Sequence, residues 1–177
     1  MVNQQSRRLS AMGRFYIYGL QGVFTEVVYT AIWELFFSRS RKLVGVSSIW
    51  AFFIYAFSQM FIERIHTKLI SYKIHLVLRG MIYLLWTYFW EFSTGYTLKM
   101  FDACPWDYEQ WFNWHFFGVI TLEYAPFWYF GSIFAETLFI PSVNRLVWST
   151  SQKNTKIVEK NKTRQMNTIK KSRSKSR

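Results

Sequence analysis

Four glutamates stand inside long runs of aromatic and aliphatic residues: Glu26, Glu34, Glu91 and Glu123. Each run is long enough to cross a bilayer, because a hydrocarbon core about 30 Å thick requires roughly 20 mostly apolar helical residues. A charge at the centre of a membrane helix costs about 2.5–3.5 kcal/mol, so an ionisable residue at this depth generally marks a functional site. The sequence therefore predicts a carboxylate site inside a membrane.

The outer half of the runs holds a candidate cation or proton site formed by Glu34, Glu91 and Glu123. None of these three has a basic partner within its own run. They are protonated by burial, hydrogen-bonded to Trp and Thr side chains, or free to bind a cation or relay protons. Their aromatic neighbours Trp33 and Trp90 either anchor the helices at the membrane interface or face a cation. The residue types do not identify a particular metal.

A second pair of ionisable residues lies deeper in the runs. Glu26 is near the middle of the first run, and Arg79 is in the inner third of the third. We expect them to meet, because charges in a membrane generally pair with one another. Such a pair would act as a polar clamp between helices or as a gate beneath the outer carboxylates.

The continuous apolar runs predict an all-α, polytopic membrane protein with a four-helix transmembrane bundle. The expected transmembrane domain is 15–140, with spans at about 15–37, 43–65, 75–98 and 116–140. An outer connection over 99–115 is open to three readings: an interfacial helix, a re-entrant segment or a loop. Its distinctive residues are Cys104, Trp106, Asp107 and Tyr108.

The formal charge of +12 is concentrated at the two ends of the chain. Residues 1–14 carry +3 and residues 151–177 carry +9, which leaves the middle neutral. The distribution of Lys and Arg places both termini in the cytoplasm, although it does not distinguish the endoplasmic reticulum from the plasma membrane. We expect the basic tail, 141–177, to be disordered and to attract anionic lipid. Nothing in the apolar part predicts nucleic-acid binding.

Two helix pairs show signs of an internal duplication. The pattern T-x-x-W-E occurs at Thr30–Glu34 and again 57 positions later at Thr87–Glu91. The second and fourth runs match at a larger offset of 73 positions, at which Glu63 corresponds to Glu136. These matches suggest two repeated helix pairs in the same orientation, an arrangement found among transporters.

Several kinds of chemistry have no support in this sequence. There is no glycine-rich phosphate loop, no G-x-S-x-G and no H-E-x-x-H. A single cysteine permits no intrachain disulfide, and the scattered histidines lack the spacing of a zinc site. The apolar runs contain no evident nucleophile–base pair. We therefore expect neither enzymatic activity nor a cofactor.

Four segments resemble the transmembrane protein 229 family: GVSSIWAFFIY (45–55), LLWTYFWEFSTG (84–95), FDACPWDY (101–108) and GVITLEYA (118–125). The resemblance covers roughly residues 14–140 in consistent order and spacing. It implies a multi-pass membrane protein with distant similarity to bacterial ABC-transporter-like permeases, and it assigns no catalytic residue. Its recognisable positions are Trp33–Glu34, Trp90–Glu91, Cys104–Tyr108 and Leu122–Tyr124.

Two functions are consistent with these features. The first is a transporter-like or channel-like protein that uses the intramembrane carboxylates. The second is a non-catalytic membrane adaptor or subunit that binds other membrane proteins, with a tail that binds lipid. Because four helices are too few for most solute pathways, we also expect a homo-oligomer or a membrane-protein partner.

Overall fold

The computed structural model describes residues 7–148 and 158–167 and is mostly helical, which confirms the all-α prediction. Its long helices are α1 (Ala11–Phe37), α2 (Ile49–Ser71) and α3 (Leu76–Met100). A fourth helical segment comprises a 3₁₀ turn (Leu122–Tyr124), α4 (Ala125–Phe134), a π-helical turn (Ala135–Phe139) and α5 (Ile140–Arg145). Within the described residues, no helix combines the length and apolar composition that crossing a membrane requires. The four predicted spans are therefore not confirmed.

The chain divides into two compact units. One is formed by residues 9–145 and contains all the helices named above. In the other, the two-residue strands β1 (Arg7–Arg8) and β4 (Val147–Trp148) pair antiparallel, and 158–167 form a helix. The sequence predicts a disordered tail over 141–177, and this prediction differs from the structure at 141–145 and 158–167, which are helical. For 149–157 and 168–177 it lies outside the described residues.

The second helix begins later than the sequence predicts, at Ile49 instead of residue 43. Residues 43–48 instead run back along α1, where a Cβ added to Gly45 would lie 1.9 Å from the carbonyl oxygen of Val27. The amide of Val46 donates to Thr30 Oγ1 at 2.8 Å. Composition alone favours a helix here, but glycine permits this close approach and the Thr30 hydroxyl binds the segment to α1.

Helix packing groups the long elements into two pairs. The first helix, α1, packs mainly against α2, whereas α3 packs mainly against α4. In the first pair, Gly22 lets α1 approach α2 closely, because a Cβ at this position would lie 2.2 Å from Tyr55 Cβ. A buried cluster that includes Tyr83 and Ile140 connects α2, α3 and α5. The two pairs are thus held together by side chains from α2, α3 and the fourth helical segment.

The outer connection is a folded loop, which we call the cap and define as residues 101–121. It contains an antiparallel hairpin between β2 (His115–Phe116) and β3 (Ile120–Thr121). Phe117 and Gly118 turn the chain with left-handed backbone angles, φ 53° and 68°. The amide of Tyr108 donates to the Gly118 carbonyl at 2.8 Å. Of the three readings that the sequence left open, the structure therefore supports the loop.

The contact of Gly45 with α1 predicts a selective effect of alanine. Gly45→Ala should destabilise the protein by about 1–3 kcal/mol, because the new methyl group would overlap the Val27 carbonyl. Gly131→Ala is the matched control, since nothing lies within 4 Å of a Cβ at that position in α4. Alanine there should be neutral or stabilise by about 0.5–1 kcal/mol. Thermal unfolding of the purified variants measures both, and equal effects would contradict the close approach.

Candidate functional site

A buried carboxylate lies directly beneath the cap. Glu91 on α3 is only 9% exposed, and the Tyr108 hydroxyl donates to its Oε1 atom at 2.8 Å. The second oxygen, Oε2, makes no hydrogen bond of normal geometry to a described residue. Trp128 on α4 lies beside this carboxylate, but its Nε1 donor also forms no hydrogen bond of normal geometry. Glu91 is therefore a buried acid with one oxygen available.

Tyrosine side chains surround this carboxylate from several elements. The hydroxyl groups of Tyr29 and Tyr124 hydrogen bond at 2.8 Å, and the rings of Tyr108 and Tyr124 meet edge to face at 5.3 Å. Tyr55 on α2 lies within electrostatic range of both Glu91 on α3 and Glu26 on α1. We call this group the carboxylate–tyrosine site and define it as Glu26, Tyr29, Tyr55, Glu91, Tyr108 and Tyr124.

The remaining distinctive residues of the cap hold it together. Trp106 Nε1 donates to the Val119 carbonyl at 3.0 Å, and the Cys104 thiol donates to the Trp106 carbonyl at 3.2 Å. Asp107 Oδ1 accepts the amide hydrogen of Glu109 at 3.0 Å. Burial raises the pKa of the Cys104 thiol, which favours the neutral form. These contacts give Cys104, Trp106 and Asp107 structural roles, and Tyr108 is the residue through which the cap reaches Glu91.

Glu123 forms hydrogen bonds to the cap. The amides of Asn113 and Trp114 donate to its Oε1 atom at 3.2 and 3.1 Å, and the Thr121 hydroxyl makes a short hydrogen bond to Oε2. The Thr121 hydrogen bond lowers the pKa of Glu123 below its ordinary value, and the backbone amides act in the same direction. The carboxylate thus serves as an ionised acceptor that fixes the hairpin to the 3₁₀ turn.

Glu34 and the two tryptophans have separate environments. The Glu34 side chain is exposed near the end of α1, where Trp33 stacks on Phe37 with ring centroids 3.9 Å apart. Trp90 Nε1 donates to the carbonyl of Ile54 on α2 at 3.0 Å. Both tryptophans therefore pack against protein groups.

The structure does not assemble the three outer glutamates into one site. Glu91 and Glu123 hydrogen bond to different parts of the chain, and Glu34 is exposed. In the part of the chain that the structure describes, no group of three or more His, Cys, Asp and Glu side chains is arranged to hold a metal ion. Their positions along the sequence predict only that the three glutamates lie at a similar depth. The fold of the cap determines the partners of Glu91 and Glu123.

The expected pair of Glu26 and Arg79 is not formed. Glu26 instead accepts a hydrogen bond from Ser47 Oγ at 2.9 Å, because residues 43–48 run back along α1. Arg79 Nη2 lies 2.6 Å from Oε1 of Glu136, a residue in the π-helical turn of the fourth segment. Glu136 was not among the predicted site residues, although its position in an apolar run was a usable signal.

A second ion pair, also absent from the predicted site, connects α1 to α2. Arg14 Nε lies 3.2 Å from Glu63 Oε1, and the Tyr18 hydroxyl donates to Glu63 Oε2 at 3.2 Å. Both buried ion pairs therefore join the first helix of a pair to the second. No pattern of neighbouring residues in the sequence indicates these partners, since each lies more than forty positions away.

The fold and the site together define an all-α protein in which several carboxylates bind residues of another helix or of a connection. Residues 14–161 match the family described as "Putative ABC-transporter type IV", and the chain belongs to this family. No solved structure matches the chain. The more specific resemblance to the transmembrane protein 229 family stays a prediction.

Glu123 should make the stability of the cap depend on pH. Because the pKa of this carboxyl is lower in the folded protein, its contribution is present above the ordinary glutamate pKa and is lost as the pH falls through the lowered value. Glu123→Gln should reduce stability at neutral pH and remove this part of the acid sensitivity. Thermal unfolding between neutral and strongly acidic pH, with the exposed cap residue Glu109→Gln as control, measures the effect. Parallel curves for wild type and Glu123→Gln would contradict this role.

Proposed function

We propose that the protein is an integral membrane protein of the transporter-like class, in which Glu91 takes up a proton or a small cation beneath the cap. The observation that carries this proposal is a buried carboxylate with one oxygen that receives no hydrogen bond of normal geometry from a described residue. A buried polar atom left unpaired costs about 1–3 kcal/mol, and binding a proton or cation would remove that cost. Membership of a family with a transporter-type description supports the same class.

Exposed apolar residues support a membrane environment. On α1, large side chains are exposed at every fourth position: Tyr16, Leu20, Phe24, Val28, Ile32 and Phe36. The fourth segment exposes a similar row, Phe127, Phe130, Phe134 and Leu138. Soluble monomers rarely expose large contiguous apolar patches, and such patches mark contacts with membranes or other proteins. We propose that these two rows contact lipid.

The polar content of the helices is compatible with this placement. Tyr and Trp lower the mean hydropathy of the helices, but they are also the residues enriched at the interfaces of a bilayer. Of the ionisable groups on the helices, Glu63 and Glu136 are paired with arginines, and Glu91 is hydrogen-bonded. Pairing of this kind is how ionisable residues are accommodated within a membrane.

The carboxylate–tyrosine site can bind a cation or relay a proton. Tyr55 lies within electrostatic range of both Glu26 and Glu91, which places a tyrosine in the neighbourhood of both carboxylates. Carboxylate and hydroxyl oxygens are the ligands that hard cations prefer, and tyrosine rings add attraction for a cation. We propose that Glu91 is the primary acceptor and that Glu26 is a second carboxylate on the same path.

The remaining parts of the proposal concern orientation and partners. The positive ends of the chain favour cytoplasmic termini, and the basic tail favours contact with anionic lipid. A solute path through so few helices would require a second copy of the chain or another membrane protein. We propose that the exposed rows on α1 and the fourth segment supply that contact as well as the contact with lipid.

A membrane adaptor is the second candidate function. The helix over 158–167 is exposed along its whole length, and it carries the exposed apolar residues Val158 and Met166 together with several basic side chains. Such a helix could bind an acidic partner with an apolar groove. A stoichiometric partner that co-purifies with the full chain, and is lost when 151–177 is deleted, would favour this function.

Spin labels test the placement of the exposed rows. In a Cys104→Ser background reconstituted into lipid, a label at Phe130→Cys should collide mainly with oxygen, which concentrates in hydrocarbon. A label at Lys42→Cys, in the exposed connection between α1 and α2, should collide mainly with a water-soluble nickel complex. Electron paramagnetic resonance measures both collision rates. Equal access of the nickel complex to the two labels would contradict contact between Phe130 and lipid.

A ligand-dependent stability assay tests the role of Glu91. The purified wild type should be stabilised by protons or by one member of a panel of Na⁺, K⁺, Mg²⁺ and Ca²⁺, by about 2.7 kcal/mol at a hundredfold excess over the dissociation constant. Glu91→Gln should lose this response, whereas the exposed Glu34→Gln should keep it. If Glu91→Gln only melts lower and no condition stabilises the wild type, Glu91 is structural, and the adaptor function would be favoured.

A further inference from the structure

The two helix pairs carry the same polar residues at matching positions. Three residues of α1, Arg14, Tyr18 and Glu26, recur 65 positions later on α3 as Arg79, Tyr83 and Glu91. The first residues of the two helices, Ala11 and Leu76, are separated by the same interval. On the second helix of each pair, Glu63 and Glu136 are 73 positions apart. This register replaces the 57-residue offset suggested by the T-x-x-W-E pattern.

In the first pair, the repeated residues form a fully satisfied group. Arg14 Nε lies 3.2 Å from each oxygen of Glu63, and Tyr18 donates to one of them. None of the buried side-chain nitrogen and oxygen atoms of these three residues lacks a hydrogen-bond partner. We call this group the clamp: Arg14, Tyr18 and Glu63.

In the second pair, the equivalent residues leave several polar atoms unpaired. Arg79 Nη2 binds Glu136 Oε1 at 2.6 Å, and His66 Nδ1 lies 3.3 Å from the same oxygen. Tyr83 lies beside both Arg79 and Glu136, but its hydroxyl makes no hydrogen bond of normal geometry. Glu136 Oε2 and Arg79 Nε also lack partners among the described residues. Because Glu136 is 2% exposed and Tyr83 is 0% exposed, bulk water does not satisfy them.

The backbone around Glu136 also differs from that around Glu63. Glu63 lies in regular α-helix, whereas Glu136 lies in the π-helical turn Ala135–Phe139. A π-helical turn within an α-helix occurs frequently at functional sites. The second copy of the unit therefore differs from the first in backbone geometry and in unpaired polar atoms, although its Arg, Tyr and Glu are retained.

The hydrogen-bonding chemistry of the unpaired atoms restricts which kinds of ligand can bind to them. Glu136 Oε2 accepts a hydrogen bond, Arg79 Nε donates one, and the Tyr83 hydroxyl can do either. An anion would be repelled by Glu136, and a metal cation would be repelled by Arg79. A hydrated proton is also positive, but it transfers its charge to Glu136 and leaves neutral water, which can both donate and accept the hydrogen bonds that these atoms lack.

We propose that Arg79, Tyr83 and Glu136 form a proton-transfer site, and that the clamp is its fixed structural counterpart. A hydrated proton from solvent passes its proton to Glu136 Oε2, which becomes a neutral carboxylic acid and leaves a water molecule bound to Tyr83 and Arg79. Neutralisation of Glu136 weakens its ion pair with Arg79, and release of the proton to water restores the carboxylate. His66 is the neighbouring titratable group, within reach of Glu136. This site is separate from Glu91 and does not depend on cation binding there.

Proton flux into reconstituted vesicles tests this proposal. Vesicles of neutral and anionic phospholipid, loaded with a pH-sensitive dye, would be given a membrane potential and compared with protein-free vesicles. The wild type should acidify the lumen faster, and Tyr83→Phe and Glu136→Gln should each reduce that rate by about a hundredfold. The matched clamp variants Tyr18→Phe and Glu63→Gln should retain the wild-type rate per folded molecule, as determined by size-exclusion chromatography. Tyr83→Phe keeps the test decisive if Glu136→Gln does not fold.

The outcomes separate this site from the site at Glu91. Loss of flux in Tyr83→Phe with normal flux in Glu91→Gln would support the proton-transfer site and would exclude Glu91 from the proton path, while the stability assay decides separately whether Glu91 binds a cation. Loss in Glu91→Gln alone would overturn the present proposal and leave the role of Glu91 intact. Equal losses in Tyr83→Phe and Tyr18→Phe, or a wild type no faster than protein-free vesicles, would also overturn it.

Discussion

The burial of carboxylates is the constraint on which this arrangement of helices depends. A carboxylate removed from water needs an opposite charge or several hydrogen bonds. In this protein the partners of the buried Glu91 and Glu136 and of the half-buried Glu63 come from another helix or from the cap: Tyr108 for Glu91, Arg79 for Glu136 and Arg14 for Glu63. Each of these contacts therefore links two segments that are distant in the chain, and together they determine which helix faces lie inside.

The connections between helices contribute as much to the site as the helices themselves. Residues 43–48 run back along α1 and bring Ser47 to Glu26, while the cap folds over the bundle and brings Tyr108 to Glu91. In both connections a glycine lies where a side chain would collide, at Gly45 and at Gly118. In both helix pairs, a polar side chain of the connection binds the glutamate of the preceding helix.

Both proposals depend on how polar and apolar side chains are distributed between the interior and the surface. Glu63, Glu91 and Glu136 bind partners inside the bundle, whereas rows of large apolar side chains are exposed. Lipid favours this distribution, because apolar side chains are stable against hydrocarbon and polar side chains then stabilise contacts between helices. The same distribution leaves the interior as the place where a proton or a cation can be bound. The two helix pairs differ in the number of buried polar atoms that remain unpaired.

The sequence by itself determined the helical class and the approximate positions of α1 and α3, because long apolar runs favour helices wherever they pack. It also identified Glu91 and Arg79 as residues that need a special environment, since a charge in such a run is costly in any fold. Only the tertiary structure decided their partners: Arg79 meets Glu136 and not Glu26, and Glu123 fixes the hairpin of the cap. These partners depend on the path of the connections and on the rotation of each helix. Both are decided by contacts between distant residues, which composition and spacing along the chain do not encode.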